Sequence, residues 1–447
     1  MIKTRLLPVF FETPDHPDFL RQLANLCQLF ASDAEILAPV GLGDLTHGLP
    51  GDPDAVVFPQ MLGCAFQMAE MIRAIPVPRL VITSEFGTMS MWDWEIDRYL
   101  RGLGIEMIAP YHIDQTRVLL RALALKRTLR AARMVTYQDA PGQAGFQDEI
   151  FRRFYWWEAE CSQRMQAKFG VTHVKKSFKA LGEKARAISD AAAQAAWTLW
   201  QEQVPTAGLS LDAVLRAVKL YLAVREDTAG DPSVLAVGIN CLNESFYSDT
   251  TPCLAWNLLF AEQELIWGCE GDTVSMLTKL ILQRVLRVPV MMSNLYPFLM
   301  GQAAVKHERI PDFPAVPEEP QNHILVAHCG YLGELPQAFA ADWQLRKKVL
   351  AIVGENAVAI DARFPIGDLT LAKLDPDFQT LSIVEGALTG YAQFPGSDCL
   401  NGAILKVPDG HRLMEQLASH HYILVAGHHR VDIHNAARIL GLSVQIL

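Results

Sequence analysis

Two carboxylates separated by one glycine, in Cys269-Glu270-Gly271-Asp272, have the types and spacing that most directly suggest chemistry in this chain. They follow the apolar pair Ile266-Trp267 and precede an apolar run, 273–286, with helical spacing. A carboxylate pair at such a junction either binds a cation or tunes a proton. Two histidine sites further on are its natural partners: His328, in Ala327-His328-Cys329-Gly330, and the doubled His428-His429 after Gly427.

Carboxylate and imidazole ligands around one open position suit Mn2+, Co2+, Zn2+ or Mg2+. Such a cation can chelate neighbouring oxygens of a sugar and act as a Lewis acid on its carbonyl, while a carboxylate moves a proton between adjacent carbons. Plainer readings stand beside this one. The Glu-Gly-Asp triplet is a common short motif. A histidine on a strand beside Val326 is more often a satisfied core residue, whereas a strand-end pair such as His428-His429 points one ring in and one out. Cys269 and Cys329 invite a zinc-thiolate reading, but tetrahedral Cys/His zinc sites show close-spaced pairs, which this sequence lacks.

The elements that must position these groups alternate. Residues 55–58, 79–83, 105–108 and 134–137 are short and mostly apolar, the pattern of buried parallel strands. Helical spacing over 60–75, 92–103 and 115–130 separates them, which predicts an α/β layer over the first 170 residues. In such a sheet ligands bind beyond the carboxyl ends of the strands, where Glu85 falls; it is either a substrate-contacting carboxylate or a loop and capping residue. No Gly-x-Gly-x-x-Gly follows any of these strands, so a dinucleotide is not supported. Phe151, Phe154, Tyr155 and Trp157 are read as core packing before substrate stacking, and Phe169-Gly170 as a helix end and boundary.

A second α/β unit is expected over 171–320. Helices are predicted at 177–203 and 210–225, and a buried strand at 233–240 with Cys241 and Glu244 at its carboxyl end. Thr251-Pro252 starts a helix, 273–286 is the next, and 288–292 is a strand with Asn294 just past it. Cys241, Glu270 and Asn294 are therefore expected on one sheet edge. The proline-rich segment 310–320 reads as a linker. Short strands at 324–328, 349–353, 357–360, 369–374, 380–385, 404–407 and 422–426 then predict a β-barrel or sandwich over 321–447, ending in a helix at 435–440.

Composition bounds the rest. The 447 residues are half apolar and one-fifth charged, with net charge −10 and no Lys/Arg-rich block, which argues against nucleic acid or an anionic membrane as partner. Eight cysteines, at 27, 64, 161, 241, 253, 269, 329 and 399, show no CxxC and no disulfide-framework spacing; buried thiols in a reducing cytoplasm are the reading. No stretch long enough to span a membrane and no signal-peptide apolar core is found, so a soluble cytoplasmic protein is expected.

Taken in order, Thr251-Pro252-Cys253, Cys269-Glu270-Gly271-Asp272 with Leu277-Thr278, His328-Cys329-Gly330 and Gly427-His428-His429 resemble the L-fucose/L-arabinose isomerase superfamily. The strand end at 81–85, the segment 154–169 and the β-rich last third are similar to it as well. The resemblance implies two Rossmann-like α/β layers followed by a C-terminal β-barrel-like domain. It implies a metal-dependent aldose–ketose isomerase-like enzyme, usually with Mn2+, working as a trimer or hexamer on a sugar. By motif position Glu270 would be metal ligand and proton-transfer carboxylate, His429 a ligand, His328 a ligand or substrate contact, and Asp272 a near-site support with a catalytic share. Glu85, Glu244 and His428 would face substrate. Where the family places a second acidic ligand this chain has Asn294, which can coordinate through its carbonyl oxygen but cannot take a proton. A non-catalytic carbohydrate-binding paralogue, or a lyase or hydrolase on a sugar acid reusing the metal site, are the alternatives.

Overall fold

The computed structural model describes residues 2–139, 159–206, 208–297, 319–330, 333, 342–348, 354–391 and 402–447. The aromatic positions 151–157, most of the proline-rich segment 310–320, the strand expected at 349–353 and Cys399 lie outside them. The chain divides into two units. One comprises Met1–Thr128, Arg284–Leu286 and Val431–Gly441, the other Leu129–Gln283, Arg287–Arg430 and Leu442–Leu447.

The first unit is built on a parallel sheet of β1 (Thr4–Phe10), β2 (Ala34–Ile36), β3 (Val40–Gly41), β4 (Ala55–Phe58) and β5 (Arg79–Val81). β1 lies centrally, with β2 and β3 on one side and β4 then β5 on the other. Sequence patterning misses β1, because Pro8 interrupts it; Pro8 sits in register with Val57 and contributes no ladder donor. The strand expected at 105–108 forms only a single bridge, Leu80 to Ile108.

In the second unit, β6 (Arg133–Tyr137), β7 (Thr172–Lys176), β8 (Val234–Ile239) and β9 (Ile266–Cys269) form a second parallel sheet in the order β7-β6-β8-β9. The strand near 134–137, read with the first layer, thus belongs to the second sheet. β7 escapes sequence reading because its residues, Thr-His-Val-Lys-Lys, make a polar, half-exposed edge.

The remaining large element is a closed barrel of six antiparallel strands. They are β10 (Val290–Pro297), β11 (His323–Ala327), β14 (Gly367–Leu374), β15 (Thr380–Tyr391), β16 (Ala403–Lys406) and β17 (His421–Ala426), with β12 (Trp343–Lys347) and β13 (Val358–Ala362) forming a separate hairpin. Pairing runs β14-β17-β10-β11-β16-β15 and closes through β14 with β15; β18 (Ser443–Ile446) adds to β15 in parallel. Closure leaves these six strands no open edge. β11 is buried at all five positions, so both its faces are covered. The sequence reading put 288–292 in a parallel layer; instead β10 is a barrel strand, and Asn294 lies within it, paired with Ala327 on one side and His421 on the other. The protein is therefore mixed α/β, with parallel sheets and a closed antiparallel barrel.

Candidate metal centre

The turn that carries the carboxylates is built by backbone before side chains. β9 ends at Cys269, and Glu270 (φ 56°) and Gly271 (φ 68°) both adopt the left-handed region. That conformation is natural for glycine and costs a residue such as glutamate on the order of 1 kcal/mol or more. The Asp272 amide then donates to the Cys269 carbonyl at 3.0 Å. Asp272 caps the helix Thr273–Leu286, accepting from the Ser275 amide at 2.8 Å and the Ser275 hydroxyl at 2.6 Å. Gly238 and Gly268, in register on β8 and β9, let Met276 descend onto the sheet: a Cβ at Gly268 would stand 2.2 Å from Met276 Cγ.

Asp272 joins this helix start to the barrel. Lys373 Nζ of β14 lies 3.1 Å from Asp272 Oδ2 and also donates to Ser275 Oγ, and both charged side chains are fully buried. His421 Nδ1 of β17 lies 3.0 Å from the same Oδ2. Burial opposes charge on Asp272, but the Lys373 ammonium, with His421 and Ser275, outweighs it and holds the carboxyl well below its ordinary range. Burial pulls Lys373 down while Asp272 supports its charge, so the two form a buried ion pair.

Glu270, His420 and His421 each bring one ligand atom to a cluster in which these atoms lie within 4.8 Å of one another. His420 Nε2 stands 4.0 Å from Glu270 Oε2, and the two histidine rings are 4.0 Å apart between centroids. Burial, helped by neighbouring Cys241 and Asp272, pushes Glu270 well above the usual carboxylate range, and burial pulls both histidines down, towards the neutral rings that metals bind. With Nδ1 of His421 held by Asp272, the ring presents Nε2 to the cluster, the carboxylate–histidine arrangement that fixes tautomer and orientation at metal sites. A buried cluster of one carboxylate and two imidazoles is thus able to bind a divalent cation.

Two further polar atoms support the fit. His328 follows β11, is 2% exposed, and its ring centroid lies 6.1 Å from that of His421. Burial first, then His421, lowers it to about 3, and its Nε2 has no hydrogen-bond partner among the described residues. Asn294, directly across from His421, donates its amide to the Tyr296 hydroxyl at 3.1 Å while its buried Oδ1 has no such partner. Direct cross-strand partners share a face of the sheet.

The structure therefore brings together Glu270, Asp272, His328 and Asn294 of the residues singled out from sequence. Glu244 lies at the end of β8 and is fully buried, accepting from the Asp139 amide at 3.0 Å and from Asn240 Nδ2 at 3.1 Å; those bonds tie two strand ends. Glu85 is exposed and belongs to the first unit, where it lines a cleft with Gln22, Gln60, Thr83 and Asp93. His428 is exposed, 3.9 Å from Asp368 Oδ1. His429 bonds the Ala426 carbonyl through Nε2 at 2.8 Å, and its amide donates to Thr370 Oγ1 at 2.9 Å. Both histidines follow the far end of β17, five residues, or roughly 17 Å of extended chain, beyond His421. They do not join Glu270.

His420 and His421 are what sequence reading missed. The signal was present: a second doubled histidine opens the same strand that His428-His429 closes. The resemblance directs attention to the Gly-His-His at the far end of β17, but in an antiparallel barrel either end of a strand can carry a site.

A cavity of about 30 Å³ adjoins the cluster, lined by Glu270, His328, Cys241, Cys253, Cys269 and Cys329 among others. A larger cleft, about 360 Å³, lies among helices Phe178–Ala187, Asp190–Thr198 and Leu211–Thr228, but its charges pair with one another, Arg186 with Asp249 and Lys219 with Asp190. No helix among the described residues is long and apolar enough to cross a membrane. Comparison with family models and with curated proteins returns no match.

Proposed function

We propose that this protein is a metal-dependent aldose–ketose isomerase-like enzyme in which Glu270, His420 and His421 hold the cation. The observation that carries this reading is the buried carboxylate–imidazole cluster with Asp272 behind His421. Mn2+ is the favoured ion, because mixed oxygen and imidazole donors suit it and the resemblance to the L-fucose/L-arabinose isomerase superfamily points the same way. The two Rossmann-like layers and the oligomer implied by that resemblance belong to the same proposal.

When bound, the cation would supply Lewis-acid polarisation of a sugar carbonyl. The protein's own groups do the rest. Glu270, its carboxyl raised by burial, is poised to take a proton from one carbon and return it to the neighbouring carbon of an enediol. Asp272 cannot share that work, since Lys373, His421 and Ser275 occupy it and hold it ionised; it orients His421. His328, held neutral by burial with its ring 6.1 Å from that of His421, is the group this reading gives to a substrate oxygen.

One observation favours a second reading, carbohydrate binding without turnover: Asn294 faces the site where the family places an acid. The test is isomerisation of a sugar panel in D2O with added Mn2+, read as deuterium incorporation at carbon by NMR. Enzyme function predicts incorporation that falls by roughly 10²–10⁴ in Glu270→Gln. Sugar binding with no exchange in the wild type favours the second reading instead.

A further inference from the structure

Cys241 and Cys269 stand 28 positions apart in sequence, yet their Sγ atoms lie 3.4 Å from each other. The topology brings them together. β8 and β9 are parallel neighbours with Ile239 opposite Cys269. Just past β8 the chain folds back, the Cys241 amide donating to the Ile239 carbonyl at 2.8 Å, and this sets the Cys241 thiol over the end of β9. Cys241 is half-buried and Cys269 buried, and both line the 30 Å³ cavity. Neither sulfur has a part in the proton transfer or the cation ligation described above.

A disulfide needs its sulfurs about 2.05 Å apart, so the pair must close by about 1.4 Å from 3.4 Å. We propose that Cys241 and Cys269 are a redox-modified pair that closes to a reversible disulfide in response to a small hydroperoxide. The adjoining void admits hydrogen peroxide, a molecule not much larger than water. The Cys241 sulfur attacks peroxide, the O–O bond breaks, and a sulfenic acid and one water form. The Cys269 sulfur then attacks that sulfur, the S–O bond breaks, and the second water leaves. Two thiols and one peroxide thus give one disulfide and two waters. A dithiol reductant reverses the modification by exchange. Cys253 shares the cavity but stays outside the reaction: its sulfur accepts from Thr251 Oγ1 at 3.2 Å, and burial pushes its thiol up to about 11.

Closure also moves the residue covalently next in line. Glu270 follows Cys269 directly in a left-handed turn, so drawing Cys269 towards β8 displaces the carboxylate from His420 and His421. This consequence, unlike the disulfide itself, rests on the proposed metal centre.

The experiment is hydrogen peroxide treatment of the whole protein, followed by mass spectrometry of the intact chain and of peptides cut after glutamate, which separates Cys241, Cys253 and Cys269 at Glu244 and Glu262, with Mn2+ titrations before treatment, after it, and after dithiothreitol. The expected result is loss of two hydrogens and a Cys241–Cys269 linked peptide, absent in Cys241→Ser. Mn2+ affinity should drop at least tenfold and return on reduction. Oxygen adducts without that link, or a link between other cysteines, overturn the proposal. A Cys241–Cys269 link that leaves Mn2+ affinity unchanged overturns the switch. Failure of the reduced wild type to bind Mn2+ sinks the metal centre, while the linked peptide decides the disulfide independently.

Discussion

His421 Nδ1 lies 3.0 Å from Asp272 Oδ2, and this one contact ties a barrel strand to the start of a helix on the parallel sheet. Lys373 reaches the same carboxylate with no solvent exposure on either side. Breaking a buried pair by removing one partner costs about 3–5 kcal/mol, because the remaining charge has neither water nor counter-ion. Lys373→Met should therefore lower unfolding free energy by that amount in urea titrations, and Lys373→Met with Asp272→Asn should cost less than the sum of the single changes. Asp272 is held below its ordinary 3.8, so its contribution is complete above that pH and is lost only as acid titrates the folded carboxyl. A loss below about 1 kcal/mol in Lys373→Met would remove the pair from the account.

The glycine at 268 places the helix that Asp272 caps. A methyl there would meet Met276 Cγ at 2.2 Å and the Asp272 carbonyl at 3.2 Å. Gly268→Ala should destabilise by about 1–3 kcal/mol through overpacking. Adding Met276→Ala should recover part of that loss, since the side chain in the way is gone. Thermal unfolding of the single and double variants checks this; no recovery would mean that the obstruction is backbone.

Asp375 supplies a pH signature with the opposite sign to Asp272. Burial, with Asp377 beside it, raises its carboxyl to about 6 from an ordinary 3.8. Between those values the folded chain binds more protons than the unfolded one, so this group's contribution falls as pH rises from about 4 to 6. Asp375→Asn should thus stabilise the protein at pH 7 by about 1 kcal/mol after allowance for partial exposure, and by almost nothing at pH 4. Urea midpoints at the two pH values measure it. An equal effect at both would show that the charge is not responsible.

Much of this was legible in the chain. Apolar runs at 55–58, 79–83 and 233–240 announce parallel strands, and the Gly/Asp/Pro-punctuated strands near the C-terminus announce a barrel or sandwich. Glu270 and Asp272 stood out because two carboxylates before an apolar helix require a cation or a partner. What was hidden depends on pairing. Asn294 looked like a residue beyond a parallel strand, and only the register of β10 with β17 puts it opposite His421. Lys373 sits in an unremarkable Leu-Ala-Lys-Leu stretch, with nothing local to show that the barrel aims its ammonium at Asp272. The sulfurs of Cys241 and Cys269 meet through the parallel pairing of β8 and β9, which no sequence spacing reveals.

The central claim is the ligand set, and Mn2+ titration of three variants against the wild type tests it most directly. The account predicts one site per chain in the wild type. His420→Ala and His421→Ala should weaken it by more than the roughly 10–100-fold that losing an outer partner costs, while His429→Ala should bind as the wild type does. Loss of binding in His429→Ala, with His420→Ala and His421→Ala unaffected, would contradict it.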